Sequence, residues 1–173
     1  GEKLGQTMFV ENNGTAGGNV ASQIAASSPA DGYTVLMANQ GPMVVNPHLF
    51  KSLKVDPLTA FDPVVLITSA PLVLVVPAKS PITTAQQFID FARKNPGKLS
   101  YGSTGTGTSP HLAVEEFAQR AGISLNHIPF KGNAENMQAL LGGHVMAASD
   151  ATGWGPHVDA GRLRLLATYG SKR

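Results

Sequence analysis

The sequence contains no cysteine, which excludes disulfide bonds, zinc–thiolate sites and thiol nucleophiles. Charge is also scarce, because only 14% of the 173 residues are charged and thirteen basic residues nearly balance eleven acidic ones. The basic residues are scattered and the formal charge is only +2, so nucleic acid is not an expected partner. A chain without cysteine fits an oxidising or a reducing compartment equally well.

Long hydrophobic runs are absent too. The apolar stretch 63–77 is interrupted by Thr68, Ser69 and Pro71, so it falls short of the roughly 20 residues that cross a bilayer. The opening residues GEKLGQ lack the charged-then-apolar pattern of a signal peptide. We therefore expect neither a membrane span nor a signal peptide within these 173 residues.

Patterns for catalysis or metal binding are also missing. The five histidines form no i, i+4 pair with an intervening glutamate, and no cluster of carboxylates accompanies them, so neither a metal nor another cofactor is predicted. The segment from Gly102 to Gly105 is one residue too short for a G-x-S-x-G elbow, and no carboxylate pair is placed for acid–base work. Binding without chemistry is the simpler hypothesis, and we do not expect an enzyme.

What the chain does have is 42% hydrophobic residues, enough for a sizeable core, arranged in alternating short apolar runs and helical patterns. The predicted strands are 7–10, 34–38, 64–68, 72–76, 125–130, 145–149 and 163–168, with a further short apolar run at 98–101. The predicted helices are 18–27, one after a Thr84–Gln87 capping box, 110–121, 134–141 and a short one near Pro156. This alternation indicates an α/β protein with parallel sheets covered by helices on both faces.

The extended segment 77–81 is the expected crossing between two lobes, because Pro77 and Pro81 stiffen a passage without helical period. We predict that residues 1–76 form part of a first lobe and residues 77–160 a second lobe. Residues 161–173 would then begin the return towards the first lobe.

The most informative segment is YGSTGTGTSPH, residues 101–111, which lies between a predicted strand and a predicted helix. Its glycines allow several N–H groups to converge, and the positive end of the following helix favours an anion. Ser109 is the expected N-cap, Pro110 the first helical residue, and Gly122 the stop. An ordinary glycine-rich turn is the alternative interpretation.

The glycine spacing argues against a nucleotide as the anion. A P-loop needs Lys-Ser or Lys-Thr after its last glycine, but Thr108 and Ser109 follow Gly107. A dinucleotide fingerprint reads G-x-G-x-x-G, whereas Gly102, Gly105 and Gly107 give G-x-x-G-x-G. A small organic acid is therefore the better hypothesis.

Ligands of open parallel sheets bind beyond the carboxyl ends of the strands, and polar residues and glycines follow the predicted strands here. The candidate ligand-binding residues are Asn13, Gly17, Asn39, Gln40, Ser103, Thr104, Gly105, Thr106, Gly107, Ser109, His111, Lys131, Gly132 and Asp150.

Several of these candidates have an alternative structural role. Asn13 suits a turn, and Lys131 suits a solvated surface. Asp150 is placed to cap the next segment, and as a carboxylate it would meet a hydroxyl, an amine or a water rather than an acid. His111 either bonds a ligand or packs, and Trp154 either packs in the core or lines a pocket.

The chain resembles the receptors of tripartite tricarboxylate transporters, a family also called Bordetella uptake gene proteins. The resemblance runs essentially end to end. It rests on an ordered set of motifs: VENNGTAGG, ADGYTVLMAN, NPHLF, FDPVVLI, PLVLVVPAKSPI, NPGKLSYGSTGTGTSPHLAVEEF, HIPFKGNAENMQALLGGHV and AGRLRLLA. Thr15 stands where alanine or glycine is common in the family.

The resemblance implies a two-lobed periplasmic binding protein of the type II-like, Venus flytrap form, with parallel or mixed sheets flanked by helices. Such a receptor closes on a small carboxylate and delivers it to membrane permease subunits. By the resemblance, residues 103–109 hold the carboxylate, Lys131 and Gly132 border the pocket, Asp150 contacts the polar end of the ligand, and Asn39 and Gln40 form the first-lobe wall. Family members carry further first-lobe segments at both ends, so the resemblance also implies an incomplete first lobe and weak binding by this fragment alone.

Two other functions stay open at this point. The effector-binding domain of a cytoplasmic transcription regulator uses the same two-lobed architecture, and an acyl- or phosphoryl-transfer enzyme is a third possibility. The ligand itself is equally open among di- and tricarboxylates, amino acids and aromatic acids.

Overall fold

The computed structural model describes residues 2–51 and 53–170. The part before residue 72 is mostly irregular, with short helical turns at Glu2–Leu4, Thr15–Gly18 and Gly41–Val45 and two helices, α1 (Asn19–Ser27) and α2 (Asn46–Leu49). The part from residue 72 onwards is regular. Its elements are β1 (Leu72–Pro77), α3 (Ala85–Lys94), β2 (Ser100–Ser103), α4 (Ser109–Ala121), β3 (Asn126–Pro129), α5 (Asn133–Leu141), β4 (Ala147–Asp150), α6 (Gly155–Asp159) and β5 (Leu163–Tyr169).

The five strands form one mixed sheet in the order β3-β2-β4-β1-β5. Strand β2 runs parallel to both β3 and β4, as the strand–helix alternation predicts. Strand β1 runs antiparallel to both of its neighbours, β4 and β5. The sheet is therefore mixed, and its parallel part carries the carboxyl ends of β2, β3 and β4 to one edge.

Helices cover both faces of this sheet, and β1 shows why. Leu74 and Val76 point into one core cluster with Phe88 of α3 and Val114 of α4. The alternate residues of β1 point into a second cluster with Leu140 of α5. A strand buried on both faces reads as a continuous hydrophobic run, which is why LVLVVP contains no polar residue.

Capping explains the ends of the longer helices. Thr84 accepts a hydrogen bond from the Gln87 amide at 3.2 Å, which confirms the predicted cap. In the second bond of a capping box the Gln87 side chain would accept from the Thr84 amide, but here it accepts from the Thr83 amide at 2.7 Å. Helix α4 ends at Gly122 in the left-handed conformation, as predicted. Its N-cap is Thr108 rather than Ser109, so that prediction is wrong by one residue.

Three predicted strands of the first lobe are wrong. Residues 7–10, 34–38 and 64–68 are irregular in the described structure, and their apolar side chains are exposed, with Phe9 at 92% and Val64 at 84%. A strand needs a neighbour that accepts and donates its backbone hydrogen bonds. Within residues 2–51 and 53–170 none of these segments pairs with another, so apolar, β-branched composition alone does not make them strands.

The division into residues 1–76, 77–160 and 161–173 stays a prediction, and residues 171–173 lie outside the described part. The sheet itself extends to both sides of the central segment, because Leu72–Pro77 and Leu163–Tyr169 are two of its strands.

Candidate functional site

The loop between β2 and α4, residues 103–109, forms the centre of the candidate site, and we call it the anion loop. It begins at Ser103, which is fully buried at the end of β2, and it ends where α4 begins. Gly105 and Gly107 have φ values of +132° and +79°, a region that favours glycine. The glycines identified in the sequence are therefore required by the backbone course of this loop.

Part of the anion loop is tied down internally. The Gly105 amide donates to the Ser103 hydroxyl at 3.2 Å, and the Gly107 amide donates to His111 Nδ1 at 3.2 Å. The Thr108 amide donates to the Gly105 carbonyl at 3.3 Å, and the Thr108 hydroxyl donates to the same carbonyl at 2.7 Å. These bonds fix the shape of the loop.

Three other amides of the anion loop have no acceptor within the part of the chain that the structure describes: those of Thr104, Thr106 and Ser109. The Ser109 amide also belongs to the first turn of α4, where N–H groups lack helical partners and the helix dipole is positive. A carboxylate accepts several such bonds at once. The anion loop thus retains donors for an anion after its own shape is fixed.

First-lobe residues lie directly against the anion loop. The Ser109 hydroxyl donates to the Gln40 side chain at 2.9 Å, although the two residues are 69 positions apart. A Cβ at Gly107 would lie 2.8 Å from Leu49 Cδ1 and 3.5 Å from Asn46 Oδ1. The loop therefore faces a wall made by residues that precede β1, in the segment predicted to be the first lobe.

A buried asparagine pair supports that wall. Asn46, which is 2% exposed, donates to Asn19 Oδ1 at 2.7 Å. Sequence reasoning missed Asn19, Asn46 and Leu49 as site residues. The NPHLF motif was the available signal for two of them, because a polar residue before a helical proline is typical of a helix start.

The remaining first-lobe candidates take local roles. Asn13 accepts from the Thr15 amide at 3.1 Å, so its side chain forms the turn that was the alternative interpretation. Asn39 accepts from the Gly41 amide at 3.0 Å. Gly17 has a φ of +66°, and a Cβ there would lie 3.8 Å from Asn46 Nδ2.

Lys131 and Gly132 follow β3 at the same sheet edge, since β3 pairs with β2 up to Ser103. The Lys131 side chain is exposed, and its amide donates to Glu135 at 3.0 Å. A Cβ at Gly14 would lie 3.7 Å from the Lys131 carbonyl, so this turn also approaches the first lobe. The turn lies next to the anion loop and leaves the lysine charge in solvent.

Asp150 follows β4 at this edge and is only 2% exposed. Its carboxylate accepts from the Ala151 amide at 2.7 Å and from the Thr152 amide at 3.2 Å. Burial raises the pKa of Asp150, and hydrogen bonds beginning with that of Thr152 oppose the rise. Asp150 thus shapes the segment after β4, which is the capping role weighed in the sequence.

Asn136 of α5 lies between this end of β4 and Gly102 in β2, and sequence reasoning missed it. Its side-chain Nδ2 donates to the Ser149 carbonyl at 3.1 Å and to Asp150 Oδ2 at 3.4 Å. Its Oδ1 is buried without a partner, and a side chain at Gly102 would collide with that oxygen. Gly102 is therefore required by close packing on Asn136.

Trp154 packs against the core cluster that contains Leu140, which fits the packing interpretation of this residue.

Two stacked histidines lie beneath the anion loop. The rings of His111 and His127 are 4.1 Å apart with an interplanar angle of 25°, and Tyr101 stacks on His127 at 4.9 Å. His127 Nε2 lies 2.7 Å from the Ser103 hydroxyl. The Tyr101 hydroxyl donates to Glu115 at 2.6 Å, and His111 Nε2 lies 3.9 Å from the same carboxylate.

The environment of these rings favours their neutral forms. Burial lowers the pKa of His111, against the attraction of Glu115. Burial also lowers the pKa of His127 to about 4, with a further contribution from His111. Burial, the hydrogen bond to Glu115 and that charge raise the pKa of Tyr101. His127 was missed because its contact with Ser103 bridges 24 positions.

Two general features bear on the function classes. Among residues 2–51 and 53–170, no group of three or more His, Cys, Asp or Glu side chains is placed to hold a metal ion. Of the helices described, none is long and apolar enough to cross a membrane.

Comparison with known proteins gives the site its family context. All residues, 1–173, match the model of the family described as "Tripartite tricarboxylate transporter family receptor". A relative from Cupriavidus necator, the UPF0065 protein in the gbd 5' region, is 46% identical over 170 residues, which are 98% of this chain and 51% of the relative. The chain spans about half the length of the curated relatives it matches.

Solved structures of similar proteins have the same fold. Rpa4515 of R. palustris with adipate has a TM-score of 0.95 at 33% identity, covering 99% of this chain and 58% of that one. The periplasmic binding protein BugD has a TM-score of 0.92 at 30% identity, covering 99% of this chain and 57% of BugD. MatC from Rhodopseudomonas palustris with bound malate gives 0.90 at 25% identity, with 99% and 59% coverage. The fold is thus that of periplasmic binding proteins, and the partial coverage fits an incomplete lobe. The chain belongs to the tripartite tricarboxylate transporter receptor family.

Proposed function

We propose that this chain is the carboxylate-gripping part of a periplasmic solute receptor that delivers a small organic acid to the permease subunits of a tripartite tricarboxylate transporter. The observation that carries the proposal is a set of three amides in the loop that leads into α4, those of Thr104, Thr106 and Ser109, which have no acceptor among the described residues. Their arrangement suits a carboxylate, since each oxygen accepts two hydrogen bonds and the helix dipole stabilises the charge.

Contacts between the lobes support capture by closure. Gln40 bonds Ser109, and Leu49 lies against Gly107, so the first lobe touches the same loop that offers the free amides. A ligand held between these surfaces would stabilise the shut form in proportion to its extra contacts there. We propose the predicted division at residue 77 as the passage between the lobes.

Similar solved structures support an organic acid as ligand. Rpa4515 is described with adipate and MatC with malate, both of them dicarboxylic acids. For this chain we propose the class of small carboxylates, with no choice between aliphatic acids, amino acids and aromatic acids. We further propose that the chain binds its ligand without turnover.

A binding screen tests the proposal. Adipate, malate and other carboxylates are compared with their uncharged amides, such as adipamide, by thermal shift and calorimetry. A carboxylate should raise the melting temperature and its amide should not, because the loop offers donors to a negative charge. A molecule that binds equally well as the amide would contradict the proposal, and so would steady consumption of any bound acid.

The loop is tested by Gly105→Val. A Cβ at Gly105 meets Thr108 Cγ2 at 3.5 Å and the Phe130 carbonyl at 3.6 Å, both ordinary contacts, so the cost to the fold is the backbone strain of a φ of +132°, and the β-branched side chain obstructs the amides. Gly97→Val is the matched control, because Gly97 also has a positive φ, +70°, and faces open space. Equal carboxylate affinity in the two variants would refute the assignment of the loop.

A further inference from the structure

Each of the two stacked histidines is connected by hydrogen bonds to a backbone amide of the anion loop. His111, in the first turn of α4, accepts the Gly107 N–H at Nδ1. His127, in β3, reaches the Ser103 hydroxyl, which in turn accepts the Gly105 N–H. The two imidazoles thus reach, directly or through one hydroxyl, the two glycines of the anion loop that have positive φ.

We propose that His111 and His127 are positioning residues that hold Gly107 and Gly105 as neutral imidazoles, so that the remaining amides of the anion loop converge on a carboxylate. This inference rests on the proposed function, because it explains how the same loop is kept ready for its ligand. Neither ring is required to touch the ligand.

The hydrogen bonding requires a specific tautomer of His111. A ring nitrogen accepts the Gly107 N–H only if it carries a lone pair, so Nδ1 is unprotonated and the proton of the neutral ring is on Nε2. Nε2 faces Glu115 at 3.9 Å, which favours a proton there. A second proton on Nδ1 would point at the Gly107 N–H and release that glycine.

The surroundings of the pair keep it neutral. The titratable groups that face it, among the described residues, are Tyr101 from β2 and Glu115 from α4, which are bonded to each other at 2.6 Å. A charge on one imidazole also opposes a charge on the other, because the rings are only 4.1 Å apart. The lowered pKa values of both rings agree with this geometry.

The tethers matter because glycine is the most flexible residue. A loop with free glycines at 105 and 107 samples many arrangements, and ordering it on binding lowers the affinity. Two fixed glycine amides restrict Thr104, Thr106 and Ser109 to one arrangement before the ligand arrives. The expected gain is preorganisation rather than an additional contact.

A crossed set of substitutions separates hydrogen bonding from packing. The Asn side chain places a carbonyl near the position of His Nδ1, whereas Gln reaches the position of Nε2. His111→Asn should therefore preserve its tether and His111→Gln should lose it. The reverse holds at the other ring, where His127→Gln should preserve the tether and His127→Asn should lose it.

Affinities for adipate and malate are measured by calorimetry at pH 7.5 in the protein with any sequence that flanks residues 1–173. The two preserving variants should bind within about threefold of wild type, and the other two should lose about three- to tenfold, the range for one neutral hydrogen bond. Equal affinities for the Asn and Gln variants at each position would overturn the proposal, because a merely packing ring does not distinguish them.

Nitrogen-15 NMR of the wild-type imidazoles gives a second measurement that needs no variant. The ligand-free protein at pH 7 should show His111 neutral with the proton on Nε2. A proton on Nδ1 would overturn the tether even if every variant failed to fold. If wild type binds no carboxylate of the screen, the proposed function fails, and the tautomer still decides whether His111 holds Gly107.

Discussion

Replacing Gly107 by alanine tests the contact between the anion loop and the first lobe. Gly107 has a φ of +79°, and an L-residue in the left-handed region costs about 1–2 kcal/mol. The new Cβ would also lie 2.8 Å from Leu49 Cδ1, about 0.6 Å short of the 3.4 Å at which ordinary contact begins. Because Leu49 is 51% exposed and flexible, it should move aside at little cost in stability.

Stability and binding should therefore respond differently to Gly107→Ala. The free energy of unfolding should fall by about 1–2 kcal/mol from the backbone conformation alone. Carboxylate affinity should also fall, because displacing Leu49 moves the first-lobe wall away from the loop. The adjacent unbonded amides then lose their fixed distance from that wall.

The assays are urea unfolding and calorimetry with adipate. Gly161→Ala is the control, since Gly161 has a φ of +65° and a Cβ there meets open space. It should lose similar stability and keep wild-type affinity. In a Leu49→Ala background, Gly107→Ala should cause no further steric effect on binding. If the Gly107 and Gly161 variants bind adipate equally well, the reasoning about the lobe contact is refuted.

Three further predictions concern stability. Leu140→Ala should lower the free energy of unfolding, measured in urea, by about 2–5 kcal/mol, because Leu140 is fully buried. Leu58→Ala is the control, since Leu58 is 86% exposed and its replacement should change that free energy by no more than about 0.5 kcal/mol. Thr84→Ala should cost about 1 kcal/mol by removing the cap of α3, and an unchanged urea midpoint would contradict that role. The free energy of unfolding should fall as the pH drops from 6.5 towards about 4, because the folded state keeps His127 neutral while the unfolded chain takes up the proton. His127→Gln should make that fall less steep, and His111, whose pKa is also lowered, accounts for a part of the fall that remains in the variant. The raised pKa of Asp150 acts in the opposite direction in both proteins, so a parallel pH curve for the variant would exclude His127 as a cause.

The elements from residue 72 onwards were predictable because their signals are local. Thr84 and Gln87 predict the start of α3, and Gly122 predicts the end of α4. Each of these residues lies at or next to the helix end that it predicts. The run in β1 also predicts a strand buried on both faces. The direction of β1 was not predictable, because pairing with β4 and β5 is a contact between residues 73 to 97 positions apart.

The site was predictable only in its backbone part. Glycines and the strand-end rule identify the anion loop, since both are properties of neighbouring residues. His127 and Asn136 were missed because folding brings them to Ser103 and Asp150 from distant segments. A lone histidine in a strand or an asparagine in a helix carries no sequence signal for such contacts.

The distribution of buried surface argues that the two parts of the chain differ in stability. The core residues with the lowest exposure all lie beyond residue 72, whereas the most exposed apolar side chains, such as Phe9, Tyr33 and Leu58, all lie before it. Apolar burial is the main favourable term in folding, so the sheet of β1–β5 should dominate the free energy of unfolding. The first-lobe residues Gln40 and Leu49 are then held against the anion loop by a few contacts. Ordering that wall on binding lowers the affinity for a carboxylate. The hydrogen bond from Asn46 to Asn19 orders the wall before the ligand arrives. Replacing Asn46 should therefore weaken carboxylate binding.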